Sequence, residues 1–198
     1  MDIQAEAIAI AVLTIFLFLA LCAALVLVTV ALRTPAAAPL GVAGGLVVLC
    51  LIVVAVLPYD VPVLFGAVLA VLGTTLATLG GNPFTRWILG VADGGRTAEG
   101  PRGGILVELM ADSAAATPPR QEEILRGGTT IGYLERTSVT LGILAGFPGV
   151  VAVVVALKGV GRFTELATPA ARERFIVGTM ASLLWACAVA GVIRLAIW

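Results

Sequence analysis

The chain has 198 residues, 60% of them hydrophobic and only 12% charged, and its twelve basic and twelve acidic side chains cancel. A water-soluble domain carries about 25% charged and 45–50% apolar residues, so this chain has too much apolar surface for one soluble core and no net field to attract nucleic acid. Histidine is absent, which excludes histidine metal sites, Ser-His-Asp triads and histidine proton relays.

A helix crossing the hydrocarbon needs about 20 apolar residues. Three such spans come first: Ala7 to Leu32, Pro39 to Leu57 and Val61 to Leu79. The N-terminus lacks the positive region of a signal peptide and its apolar run is too long for one, so the first span is read as retained. Pro58-Tyr-Asp-Val-Pro62 forms the turn between the second and third spans, because proline cannot continue a helix. A polar, glycine-rich connector follows, from 81 to 128. Within it Asn82-Pro83 reads as a helix start, with Phe84, Trp87, Ile88 and Val91 on one face of a short helix lying in the inner interface. Residues 93–104 should be flexible, and Pro118-Pro119 should lead into a second short helix before the fourth span. The apolar run 131–157 holds Gly146-Phe-Pro-Gly149, which is turn chemistry, so it is expected to fold as a hairpin of helices near 129–146 and 149–166. The last span runs from Phe175 to Trp198.

The expectation is an all-α, polytopic transmembrane helical bundle of six spans. They form two three-helix groups, 1–80 and 129–198, with both termini outside. Basic residues favour the cytoplasmic side of spans. Six spans put every basic residue except Arg194 there, whereas five would move Lys158, Arg162, Arg172 and Arg174 outside. The implied location is a multi-pass protein of the inner membrane. Small residues predict close packing within the C-terminal group: Gly128, Gly132, Gly142 and Gly146 on the fourth helix, Ala152 and Ala156 on the fifth, and Gly178, Ser182, Ala186 and Ala190 on the sixth. Cys22, Cys50 and Cys187 each lie in apolar runs and read as small buried hydrophobes.

Charge inside the membrane points to the candidate site. Folding the hairpin about 146–149 brings Glu135 level with the stretch between Lys158 and Arg162. Lys158 lies about nine residues, or roughly 13 Å, from the turn. A charge at such depth costs at least about 2.5–3.5 kcal/mol and calls for a partner. Glu135 is the natural one, with Thr179 and Ser182 of the last span within reach, so Glu135, Lys158, Arg162, Thr179 and Ser182 form the candidate intramembrane polar site. Lys158 is also the only lysine in the chain, which suits a group that must lose a proton. Arg136, Glu165, Arg172, Glu173 and Arg174 are expected as a charge cluster at the inner interface, where charge costs little.

Three ordered fragments, Ile131-Gly-Tyr-Leu-Glu-Arg136, then Lys158 with Arg162-Phe163-x-Glu165-Leu166, then Arg174-Phe175-Ile176-x-Gly178-Thr179-x-x-Ser182, resemble the C-terminal module of a family of uncharacterised bacterial membrane proteins. The resemblance implies a recurring charged constellation and no reaction. The first 80 residues share only hydrophobicity with that family.

Two functional readings follow. In one, an ion or small solute moves through the polar site at Glu135 and Lys158, with Thr74, Thr75 and Thr78 as the best lining on the third span. In the other, the chain is a non-catalytic assembly subunit whose charges pin the hairpin, with a homo-oligomer or a membrane complex as partner beside the lipid bilayer. No nucleophile–base pair, metal-ligating cluster or paired-aspartate motif is visible, since Asp93 and Asp112 stand alone, so neither an enzyme nor a metal or cofactor is expected.

Overall fold

A computed structural model describes residues 3–33, 37–93, 105–109, 120–124, 128–161 and 169–198. The described chain is all-α apart from one small hairpin of strands, with six helices: α1 (Ile3–Arg33), α2 (Ala37–Val56), α3 (Val63–Asp93), α4 (Gly128–Leu144), α5 (Val150–Gly161) and α6 (Pro169–Ile197). Four of them, α1, α2, α3 and α6, are long and apolar enough to cross a membrane. The chain is an integral, multi-pass membrane protein. Helix α1 is apolar on every face: Leu17, Leu21, Ala24 and Val28 are buried, while Val12, Ile15, Leu19 and Val26 point outward. A helix of that kind belongs in lipid, where the outward side chains meet acyl tails. The 20 residues of α2 rise about 30 Å, which matches the hydrocarbon thickness.

The connection from α4 to α5 is a tight turn at the expected place. Gly146 sits at φ +80°, the left-handed region where a side chain is strained. The Gly146 N–H donates to the Ile143 carbonyl at 3.0 Å and the Phe147 N–H to the Gly142 carbonyl at 2.8 Å, closing the end of α4 as a Schellman motif. Pro148, in the turn just before α5, loses no helical hydrogen bond by lacking an N–H, and its carbonyl accepts from the Val151 N–H at 3.2 Å. Helix α5 has 12 described residues, about 18 Å, and is shorter than the hydrocarbon.

Helix α6 is central, packing against α3, α4 and α2, with its longest contact along α3. The pair runs antiparallel: the Val61 N–H, just before α3, donates to the Ala196 carbonyl at 2.7 Å. Glycines at 66, 73 and 80 of α3 recur every seven residues, and Ile197, Ile193 and Trp185 of α6 lie over them. Close approach of this kind is how helices associate where lipid removes the hydrophobic drive between them. The stripe of small residues on α6 serves the same contact in part. Gly178 lies against Thr85 and Leu89 of α3, and Ala186 and Ala190 are wholly buried. On α5, by contrast, Ala152 and Ala156 are exposed and do not join the expected packing.

Three local expectations are corrected. First, α3 does not stop before Gly80: it continues through Gly80-Gly81-Asn82-Pro83 to Asp93 with Pro83 inside it, so no separate helix starts at Asn82. A helix can run through proline where bundle neighbours re-satisfy the backbone groups it frees. Phe84 accordingly stacks on Trp185 inside the bundle, with ring centroids 5.1 Å apart. Second, the stretch after Pro118-Pro119 is a strand. β2 (Arg120–Ile124) pairs antiparallel with β1 (Ile105–Leu109), in register Ile105 opposite Ile124. Third, α6 begins at Pro169 rather than at Phe175. The expected flexible stretch lies outside the described residues beyond Asp93, as does the expected continuation of α5 from 162 to 166.

Candidate functional site

Adjacent residues on a helix point about 100° apart, so Glu135 and Arg136 of α4 must face different neighbours. Glu135 faces α5. Lys158 Nζ donates to Glu135 Oε2 at 2.7 Å, forming the pair that the hairpin register predicted. Lys158 remains 18% exposed and Glu135 10%. They border a cleft of about 300 Å³ between α4 and α5, whose other walls are mainly Ile131, Leu134, Val154 and Leu157, with Ser138 at its rim. Phe175 of α6 closes the lysine side, with its ring centroid 5.9 Å from Nζ.

Arg136 turns the other way, into the seam where α3, α4 and α6 meet, and is only 2% exposed. It was expected among the inner-interface charges; the structure buries it instead as the largest fully enclosed side chain of the described residues. Its Nε–H donates to the Thr78 carbonyl, one terminal nitrogen to Ser182 Oγ and the other to Asn82 Oδ1, each at 2.9 Å. The Tyr133 ring lies 5.4 Å from the guanidinium carbon. Glycines make the room: a methyl group on Gly81 would run into the arginine stem, and one on Gly132 would touch its terminal nitrogen at 3.0 Å. Gly80, next along α3, gives the same clearance to Trp185, whose Nε1–H donates to the Leu76 carbonyl at 3.2 Å. The Gly-Gly-Asn-Pro stretch that looks like the end of a span is a notch in a continuous helix.

The other expected site residues divide. Ser182 belongs to the Arg136 network rather than to Lys158. Thr179 is buried and its hydroxyl has no partner, so it too stands apart from the Lys158–Glu135 pair. Arg162 and Glu165 lie outside the described residues. Arg172 and Glu173 are exposed and Arg174 is half-exposed, all in the first turns of α6. The threonines expected to line a path on α3 turn back on their own helix: Thr74 donates to the Ala70 carbonyl, Thr75 to Val71 and Thr78 to Thr74, at 2.7–2.9 Å. Thr78 also meets the Thr137 hydroxyl at 2.9 Å.

Sequence reasoning took Asn82 for a helix start and not for a partner of Arg136, and it missed Gly81 and the three glycines at seven-residue spacing on α3. The spacing of 66, 73 and 80 was visible and marks a helix face built for close contact. Among the described residues no group of three metal-ligating side chains gathers. Cys50 is buried, and Cys22 and Cys187 are half-buried and free.

No family model, no curated protein and no solved structure matches the chain.

Proposed function

We propose that the chain is a non-catalytic scaffold subunit of a membrane assembly, with its intramembrane charges holding its own helices together. The observation that carries this reading is the direct Lys158–Glu135 contact at 2.7 Å, which ties α5 to α4. Arg136 supports it by joining α3, α4 and α6 through neutral acceptors. Charges engaged in this way fix the register of helices rather than wait for a solute. On this reading the chain sits in the inner membrane with both termini outside. The α4–α5 hairpin serves as the fourth and fifth crossings, and the strand hairpin lies at the cytoplasmic side, where a second copy or another membrane protein docks.

The test is a charge swap. Glu135→Lys and Lys158→Glu alone should each lower the yield of folded protein and its melting temperature in detergent. The double reversal should recover most of both. Single reversals that melt like wild type would overturn the pin.

The cleft beside Glu135 and Lys158 favours a second reading, in which an ion or small solute passes there. Proton flux into vesicles carrying the wild-type protein and its disappearance in a folded Lys158→Met variant would establish that reading over the first.

A further inference from the structure

Arg136 carries a charge to which no carboxylate among the described residues is bonded. Its chain neighbour Glu135 is taken by Lys158, and among the described residues no carboxylate lies within ion-pairing distance of the guanidinium. The three groups it does reach, a backbone carbonyl, a serine oxygen and an amide oxygen, are neutral. Burying a charge at 2% exposure without a bonded counter-charge is costly, the more so in a bundle surrounded by lipid.

The unused hydrogen-bonding groups nearby have one character. A guanidinium has five N–H groups and three are engaged, which leaves one on each terminal nitrogen. The side chain leans towards the N-terminal end of α4, since a terminal nitrogen lies beside Gly132 one turn back. In that same direction, one turn from Ser182 on α6, is Thr179, which is 4% exposed with an unpartnered hydroxyl. One turn beyond Asn82 on the antiparallel α3 is Thr85, whose hydroxyl is also buried without a partner. Its methyl group lies against Gly178, the residue next to Thr179. Two N–H groups and two buried hydroxyls thus lie to the same side of a buried cation, one turn from its bonded partners. Their common complement is a small acceptor of negative charge.

We propose that the seam of α3, α4 and α6 binds a small inorganic anion between Arg136, Thr179 and Thr85, with chloride as the type. The anion supplies the missing counter-charge and the missing acceptors together. This site is separate from the Lys158–Glu135 pair, and the proposal stands under either reading of function.

The test is thermal unfolding of the purified full-length protein in detergent, titrating chloride against gluconate at constant sodium. The expected result is a melting temperature that rises with chloride along a saturating curve, as mass action on a folded-state site requires. Thr179→Val, which keeps shape and removes one donor, should move half-saturation to about tenfold higher chloride, the effect of one lost hydrogen bond to a charged partner. Arg136→Met should abolish the dependence; should that variant not fold, Thr179→Val and Thr85→Val decide. A wild-type melting temperature equal in chloride and gluconate overturns the site. So does a rise that never saturates, or one that is unchanged in both threonine variants.

Discussion

The two faces of α4 hold neighbouring charges in opposite ways. Towards α3 and α6, Arg136 is enclosed by glycine notches and three short hydrogen bonds, in a seam whose large side chains fill the gaps that glycines leave. Towards α5, Glu135 and Lys158 meet in one ion pair at the edge of a cleft, on a helix of 12 described residues that packs mainly on α4. The difference is one of redundancy. The seam is fixed by shape and polar contacts at once, so a change there has nowhere to relax. Among the described residues the hairpin has one side-chain polar contact, its turn, and the packing of Val150, Val151, Val154 and Val155 on the core.

Adding volume to the seam should therefore have the largest effect. Gly81→Val drives a branched side chain into the arginine stem, and Gly80→Val drives one into the Trp185 ring. Overpacking of this kind costs about 3 kcal/mol or more where neighbours cannot shift. Both variants are expected to lose most of their folded yield after detergent extraction. Normal melting of either would show that the seam is looser than the hairpin and would reverse the comparison.

Changing the shape of the charge without its sign comes next. Arg136→Lys keeps the cation but has one nitrogen where arginine has three, so it cannot serve Thr78, Asn82 and Ser182 together. The loss is about 2 kcal/mol, within the range for orphaned buried partners. It should be read as a lower melting temperature at saturating chloride.

Much of this arrangement is legible in the sequence, and the failures share one cause. Gly146-Phe-Pro-Gly149 declares the turn through local chemistry, and the turn in turn sets the register that brings Glu135 to Lys158. Nothing local says which neighbour Arg136 will find, because its acceptors lie 46 to 58 positions away in the chain on α3 and α6. The same blindness explains Asn82-Pro83. By local propensity a Gly-Gly-Asn-Pro stretch ends a helix, and only the arrival of Arg136 and Trp185 turns it into a notch within one. The strand at Arg120–Ile124 was missed because its partner, Ile105–Leu109, sits across a stretch that carries no signal of its own. Adjacent residues treated as members of different charge groups proved to need different neighbours for a simpler reason, the 100° step of the helix.

On the hairpin side, Lys158→Met should cost less than either seam variant. It leaves the Glu135 carboxylate without its partner, but that group lies at the edge of an open cleft and not in a closed seam. The expected loss is about 1 kcal/mol, near the lower end for an orphaned polar group. Glu135→Gln in the Lys158→Met background should restore most of it, because both charges are then gone. A loss as large as that of Arg136→Lys would mean that the hairpin contact is as deeply fixed as the seam.

The smallest effect is expected at Gly159, and its sign is the informative part. This glycine lies inside α5, half-buried, with open space where a methyl group would go. Alanine there removes the backbone freedom that glycine must surrender on folding, a gain of about 0.5–1 kcal/mol. Gly159→Ala should therefore raise the melting temperature slightly in detergent and in nanodiscs alike. If it does so in detergent but lowers stability in the native membrane, another helix packs against α5 in the assembly. The open side of the hairpin would then be where a partner sits, and its single polar contact would be enough because the partner supplies the rest.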